Sequence, residues 1–150
     1  MFSWIIDDKL AVGPAPRTYH LLLRRGFTAA LSLQEDSEPG PSRAEIPPGF
    51  ILERVPIRDG VIGGKPTEGQ LQDAVDRLHR LLGRNTVYVH CFAGVGRSPL
   101  VCVAYLARYC LMSFQDAMLH VSQRHPNTAP TEGQLETLYR YLEHIAREQD

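Results

Sequence analysis

The run His90-Cys91-Phe92-Ala93-Gly94-Val95-Gly96-Arg97-Ser98 places a thiol and a guanidinium at the two ends of a short, glycine-containing loop. That pair can do nucleophilic chemistry on an oxyanion. The planar fork of Arg97 matches two oxygens of a phosphate. The backbone N–H groups of Phe92, Ala93, Gly94, Val95, Gly96 and Arg97 can curl into a nest around them. Gly94 and Gly96 are expected to supply the positive φ angles such a curl needs. Cys91 then lies at the base of the cradle. Inward N–H groups, a helix N-terminus and Arg97 there all favour the thiolate, which is the nucleophilic form. Ser98 can donate its hydroxyl to the sulfur, and the His90 ring can hydrogen-bond the loop backbone and hold its shape. Taken singly, a cysteine after a buried strand is most often a small core residue, and an arginine near a helix start is most often solvated. The joint spacing carries the chemistry.

The flanking elements must aim this loop. Thr86-Val87-Tyr88-Val89 is β-branched and apolar and predicts a buried strand. Leu100 to Leu106 is apolar nearly all round and predicts a core helix. A loop from strand end to helix start presents unpaired N–H groups to an anion. Further short strands are expected over Trp4–Ile6, Leu10–Gly13, Phe27–Leu33 and Phe50–Ile57. Pro16-Arg17-Thr18 opens a helix that Gly26 closes. Thr67-x-x-Gln70 is a capping box before Leu71, Ala74, Val75, Leu78 and Leu81 at helical spacing. Helices are also expected from Ser113 to about Gln123 and from about Glu132 to Arg147. Residues 34–49 are polar and proline-rich and read as a mobile loop. The alternation predicts an α/β fold: a central, largely parallel, twisted sheet flanked by helices, with the phosphate-binding loop between a central strand and its helix.

The order His-Cys, five residues, Arg, Ser resembles the signature of the cysteine-dependent protein tyrosine phosphatase superfamily. The chain from about Trp4 to about Leu142 is similar to the small dual-specificity phosphatases. The resemblance implies two steps. Cys91 attacks phosphorus to form a phosphocysteine, and water hydrolyses it. It also implies a general acid from a preceding loop. Asp59, in Val55-Pro56-Ile57-Arg58-Asp59-Gly60, fits that place. Asp59 must be protonated while Cys91 is ionised, so a bell-shaped pH profile with an optimum on the acid side of neutral is expected. Gln134 resembles a late glutamine that positions water in some relatives, although Thr131-x-x-Gln134 is equally a capping box. Arg124-His125-Pro126 resembles a segment that braces the fold.

The implied substrate is a phosphoprotein or phosphopeptide carrying phosphotyrosine, phosphoserine or phosphothreonine. Phe92, Ala93 and Val95 put no cation in the loop, which argues against a highly charged inositol lipid. The alternatives are a phosphopeptide-binding module without turnover and a phosphatase for a phosphoinositide or an RNA 5′-phosphate. Sulfur-transfer chemistry on a similar loop is a further one. At 150 residues with a net charge of −1, a single domain over 1–150 is expected and a nucleic-acid partner is not. Three cysteines without CxxC spacing and scattered histidines give no disulfide framework, no metal site and no cofactor. Cys102 and Cys110 are expected to be inert. There is no basic leader and no long apolar run, so a cytoplasmic monomer away from membranes is expected.

Overall fold

The structure is a computed structural model and describes residues 1–148. Five strands form one sheet: β1 (Ser3–Ile6), β2 (Leu10–Gly13), β3 (Ala29–Ser32), β4 (Ile51–Arg54) and β5 (Val87–His90), in the order β1-β2-β5-β3-β4. All neighbours are parallel except the β1–β2 hairpin. Five helices accompany them: α1 (Tyr19–Arg24), α2 (Glu68–Leu82), α3 (Arg97–Tyr109), α4 (Phe114–Arg124) and α5 (Glu132–Glu148). The expected α/β architecture is what the chain adopts. Among the described residues, no helix is long and apolar enough to cross a membrane.

Period-two alternation sorts the strand side chains onto two faces. Leu10, Val12, Ala29, Leu31, Val87 and Val89 join the larger core, with α2, α3 and α5. Ala11, Ala30 and Tyr88 face a smaller cluster with Tyr19, Leu22, Phe27 and Phe50. A parallel strand buried on both faces reads as a continuous apolar run, as Val87–Val89 does, and His90 ends the strand as a buried polar residue. The α3 helix is buried on every side from Arg97 to Leu106. Thr67 and Gln70 make the capping box that starts α2, and Ser113 caps α4 by accepting from the Asp116 N–H.

Register decides where the site forms. His90 lies opposite both Gly13 and Ser32, so the segments after β2, β3 and β5 leave the sheet at the same end. The ladders are shorter than the apolar runs Phe27–Leu33 and Phe50–Ile57. Even so, Val55 N–H donates to Ser32 O and Ile57 N–H to Leu33 O beyond them. Those two bonds carry the chain straight to Asp59.

Residues 34–49 form the expected loop without helix or strand, and its first part is anchored to the fold. Gln34 is buried and donates to Pro39 O. Arg54 reaches Gln34 O and Asp36. The Glu35 N–H donates to Glu38, whose carboxylate clasps Arg97. Polar residues of the first half, Gln34 to Glu38, are thus used in pairing.

Candidate active site

Three loop carbonyls are turned outward and held there. Phe92 O accepts from Ala15 N–H at 2.9 Å and Val95 O from Ala129 N–H at 2.8 Å. Gly94 O lies 2.6 Å from His125 Nε2, whose other ring nitrogen lies 2.7 Å from Ser3 Oγ. Among the described residues, no N–H from Phe92 to Gly96 donates to a protein acceptor. With their carbonyls tied behind them, those N–H groups are free for an anion.

The two glycines serve different ends. Gly94 has φ +73°, and a Cβ there would lie 2.5 Å from the Gly13 carbonyl carbon. Both conformation and space require glycine at that position. Gly96 has φ −114°, not the positive angle expected from the sequence. Its demand is space: a Cβ would lie 2.8 Å from Gln134 Oε1. Gly96 also offers no side chain to cap α3, so the first-turn N–H groups of that helix remain open toward the loop.

Cys91 is buried at the end of β5, with its sulfur 3.2 Å from Ser98 Oγ. An ionised sulfur is acceptor-only, so Ser98 then donates. His90 sits behind it, with Nδ1 3.1 Å from Cys91 O and Nε2 3.0 Å from Tyr19 Oη. The carbonyl can only accept, so Nδ1–H donates to it and Tyr19 O–H donates to Nε2. Burial pushes the His90 pKa down to about 4, which keeps the ring neutral and this tautomer fixed. Burial likewise pushes Tyr19 up to about 12, so its hydroxyl stays a donor.

Arg97 is buried, and Glu38 orients it. Nη1 donates to Glu38 Oε2 at 2.8 Å and to Ile57 O at 2.7 Å, and Nη2 donates to Glu38 Oε1 at 2.7 Å. This consumes one long edge of the guanidinium and leaves Nε–H and the second Nη2 proton for a ligand. Burial alone would raise the Glu38 carboxyl. Hydrogen bonds from Arg97 and the Glu35 N–H, with the arginine charge, instead hold it below its ordinary value. Sequence reasoning missed Glu38. The contact spans loop and helix start, and nothing local to residues 34–49 marks it.

Asp59 lies on the same cavity, its Oδ2 3.4 Å from Arg97 Nη2. Its Oδ1 accepts from Val61 N–H at 3.2 Å, which caps a 3-10 turn over Gly60–Ile62. Gln134 serves in a capping box, with Oε1 accepting from Thr131 N–H at 2.9 Å. The same side chain lines the cavity, and its Nε2 would lie 2.8 Å from a Cβ built on Gly60. The cavity is about 300 Å³ and is walled by Asp59, Val61, Cys91, Phe92, Arg97 and Gln134, among others. A larger hollow of about 600 Å³ lies on the loop side of Glu38, where Arg43 and Arg54 are already paired with Asp36. Its cations are spoken for, and Cys91 is not in its wall. Cys102 is fully buried within α3, and burial pushes its thiol well up. Cys110 is exposed, and its thiol is also raised.

Residues 21–144 match the family described as dual specificity phosphatase, catalytic domain. Mouse dual specificity protein phosphatase 14 is 30% identical over 135 residues, covering 85% of this chain and 63% of that protein. The chain thus spans less than two thirds of that relative's length. The crystal structure of Tk-PTP in the active form superposes with a TM-score of 0.83 at 28% identity, covering 95% of this chain and 96% of that one. A mouse putative dual specificity phosphatase complexed with zinc tungstate gives a TM-score of 0.80 at 25% identity, covering 99% and 90%. By sequence and by fold, this chain belongs to the dual specificity phosphatase catalytic-domain family.

Proposed function

We propose that the chain is a protein phosphatase that hydrolyses phosphotyrosine, phosphoserine and phosphothreonine monoesters through a phosphocysteine. The observation that carries this is the convergence of Cys91, Arg97 and Asp59 on one small cavity beneath unpartnered loop N–H groups. In the first step the Cys91 thiolate attacks phosphorus and the bond to the leaving oxygen breaks. Asp59 delivers its proton to that oxygen. The non-bridging oxygens are held by the loop N–H groups and by Nε–H and Nη2–H of Arg97. In the second step water attacks phosphorus, Asp59 takes its proton, and the sulfur leaves as a thiolate stabilised by the Ser98 hydroxyl. Gln134 Nε2, on the cavity wall, orients that water. Neutral His90 holds the Cys91 carbonyl, and His125 the Gly94 carbonyl, away from the anion.

Relatives named dual specificity protein phosphatases support the protein substrate class. Phe92, Ala93 and Val95 bring no cation to a second phosphate, which disfavours a polyphosphorylated inositol ring. The test is hydrolysis of p-nitrophenyl phosphate from pH 4.5 to 8 in EDTA and reductant. Wild type should turn over with a bell-shaped profile, Cys91→Ser should be inactive, and Asp59→Asn should lose the basic limb. An inactive wild type that still binds phosphotyrosine peptide would make the chain a binding module instead.

A further inference from the structure

Asp59 and Gly63 bracket a turn that does nothing for the core. Its three residues, Gly60–Ile62, bury nothing. Val61 is 90% exposed and Ile62 60% exposed. The turn is nonetheless firmly built. Val61 N–H donates to Asp59 Oδ1, Gly63 N–H to Gly60 O at 3.0 Å and Gly64 N–H to Asp59 O at 2.9 Å. Gly63 closes it at φ +79°, where an L side chain would be strained. Two large apolar side chains are therefore displayed outward on a braced support. Across the cavity Phe92, in the phosphate-binding loop, is 47% exposed. Val61 and Phe92 both line the cavity that holds Cys91. Single exposed apolar residues are ordinary, but Val61 and Phe92 on one cavity wall, with exposed Ile62 next to Val61 in the same turn, make an apolar surface at the cavity that holds Cys91.

We infer that Val61 and Phe92, extended by Ile62 of the same turn as Val61, form a subsite for an apolar side chain adjacent to the phosphorylated residue of a polypeptide substrate. This rests on the phosphate pocket proposed above, with which the rim is continuous. The occupant follows from that continuity. A chain whose phosphate reaches Arg97 passes the mouth of a cavity of which Val61 and Phe92 form part of the wall. Val61, Ile62 and Phe92 carry no charge or hydrogen-bonding side chain, so an apolar neighbour gains by burial on them while an acidic one loses hydration.

The test compares two phosphotyrosine peptides that differ in one neighbouring residue, leucine or serine. Wild type should favour the leucine peptide about tenfold in kcat/KM, the effect of burying roughly half of a leucine side chain. In Val61→Ser and Ile62→Ser the ratio should fall toward one, and in Val61→Leu it should stay. The ratio cancels any common change in the chemical step. A wild-type ratio of one, or a ratio that both serine variants leave intact, overturns the subsite. If the serine variants instead weaken binding to phosphoinositide-containing vesicles and leave peptide selectivity unchanged, the rim is a lipid contact and the inference is wrong. Should wild type fail to turn over p-nitrophenyl phosphate, the phosphatase reading fails by itself. The same two peptides then test the rim through their Kd ratio.

Discussion

Removing Glu38 separates a brace from a plug. Its carboxylate makes two charge-assisted bonds to Arg97, at 2.8 and 2.7 Å, and its side chain is 14% exposed. Deleting one partner of a buried pair costs about 3–5 kcal/mol. Arg97 keeps its bond to Ile57 O, and water reaches the carboxylate edge, so Glu38→Ala should cost about 2–3 kcal/mol. Glu38→Gln retains one acceptor and should cost about 1 kcal/mol. Urea unfolding at pH 7 reads these values. Kinetics on p-nitrophenyl phosphate read the functional half. With Arg97 held only through Nη1, kcat/KM in Glu38→Ala should fall about tenfold or more, and vanadate should bind more weakly, because transition-state donors lose their aim. The pH dependence has a definite sign. The Glu38 carboxyl is lowered in the folded state, so its contribution is present above the unfolded value of about 4.3. It is lost as pH falls through the lower folded value, and Glu38→Gln should erase that part of the acid limb. If Glu38→Ala matches or exceeds wild type in kcat/KM and binds vanadate more tightly, Glu38 competes with the anion instead of aiming the arginine, and the reasoning is refuted.

His90 gives a second acid effect. Its folded pKa of about 4 lies below the unfolded value of about 6.5, so it contributes nothing above pH 6.5 and destabilises increasingly below it. Between pH 7 and 4.5 the loss should be about 2–3 kcal/mol, and His90→Asn should flatten that slope in urea unfolding. The two glycines should separate in a double-mutant cycle on stability and vanadate affinity. Gly96→Ala meets a side-chain end, so Gln134→Ala should rescue it. Gly94→Ala meets the Gly13 and Pro14 backbone at a positive φ, and no second change at Gln134 should help.

Much of this was legible in the chain. The strand–loop–helix context of Cys91 and Arg97 follows from a β-branched run, two glycines and an all-apolar helix, and each is a local signal. The capping boxes at Thr67 and Thr131 are local too, and both form. What stayed hidden depends on reach across the fold. Glu38 sits among prolines and polar residues that read as a free loop, yet Arg97 fixes it. Gly96 looked like a second left-handed residue, and its partner Gln134 arrives from the start of α5, far along the chain. His125 was expected to brace the fold. Its hold on one particular carbonyl, Gly94 O, could not be read without the tertiary arrangement.

The central claim is a covalent bond between phosphorus and one sulfur. Rapid acid quench of wild type during p-nitrophenyl phosphate turnover, followed by mass spectrometry of the Cys91 peptide, tests it most directly. The account predicts a phosphoryl group on Cys91 that accumulates when Asp59→Asn slows its hydrolysis, and none on Cys102 or Cys110. Sustained turnover with no phosphoryl-Cys91, or turnover retained in Cys91→Ser, would contradict it.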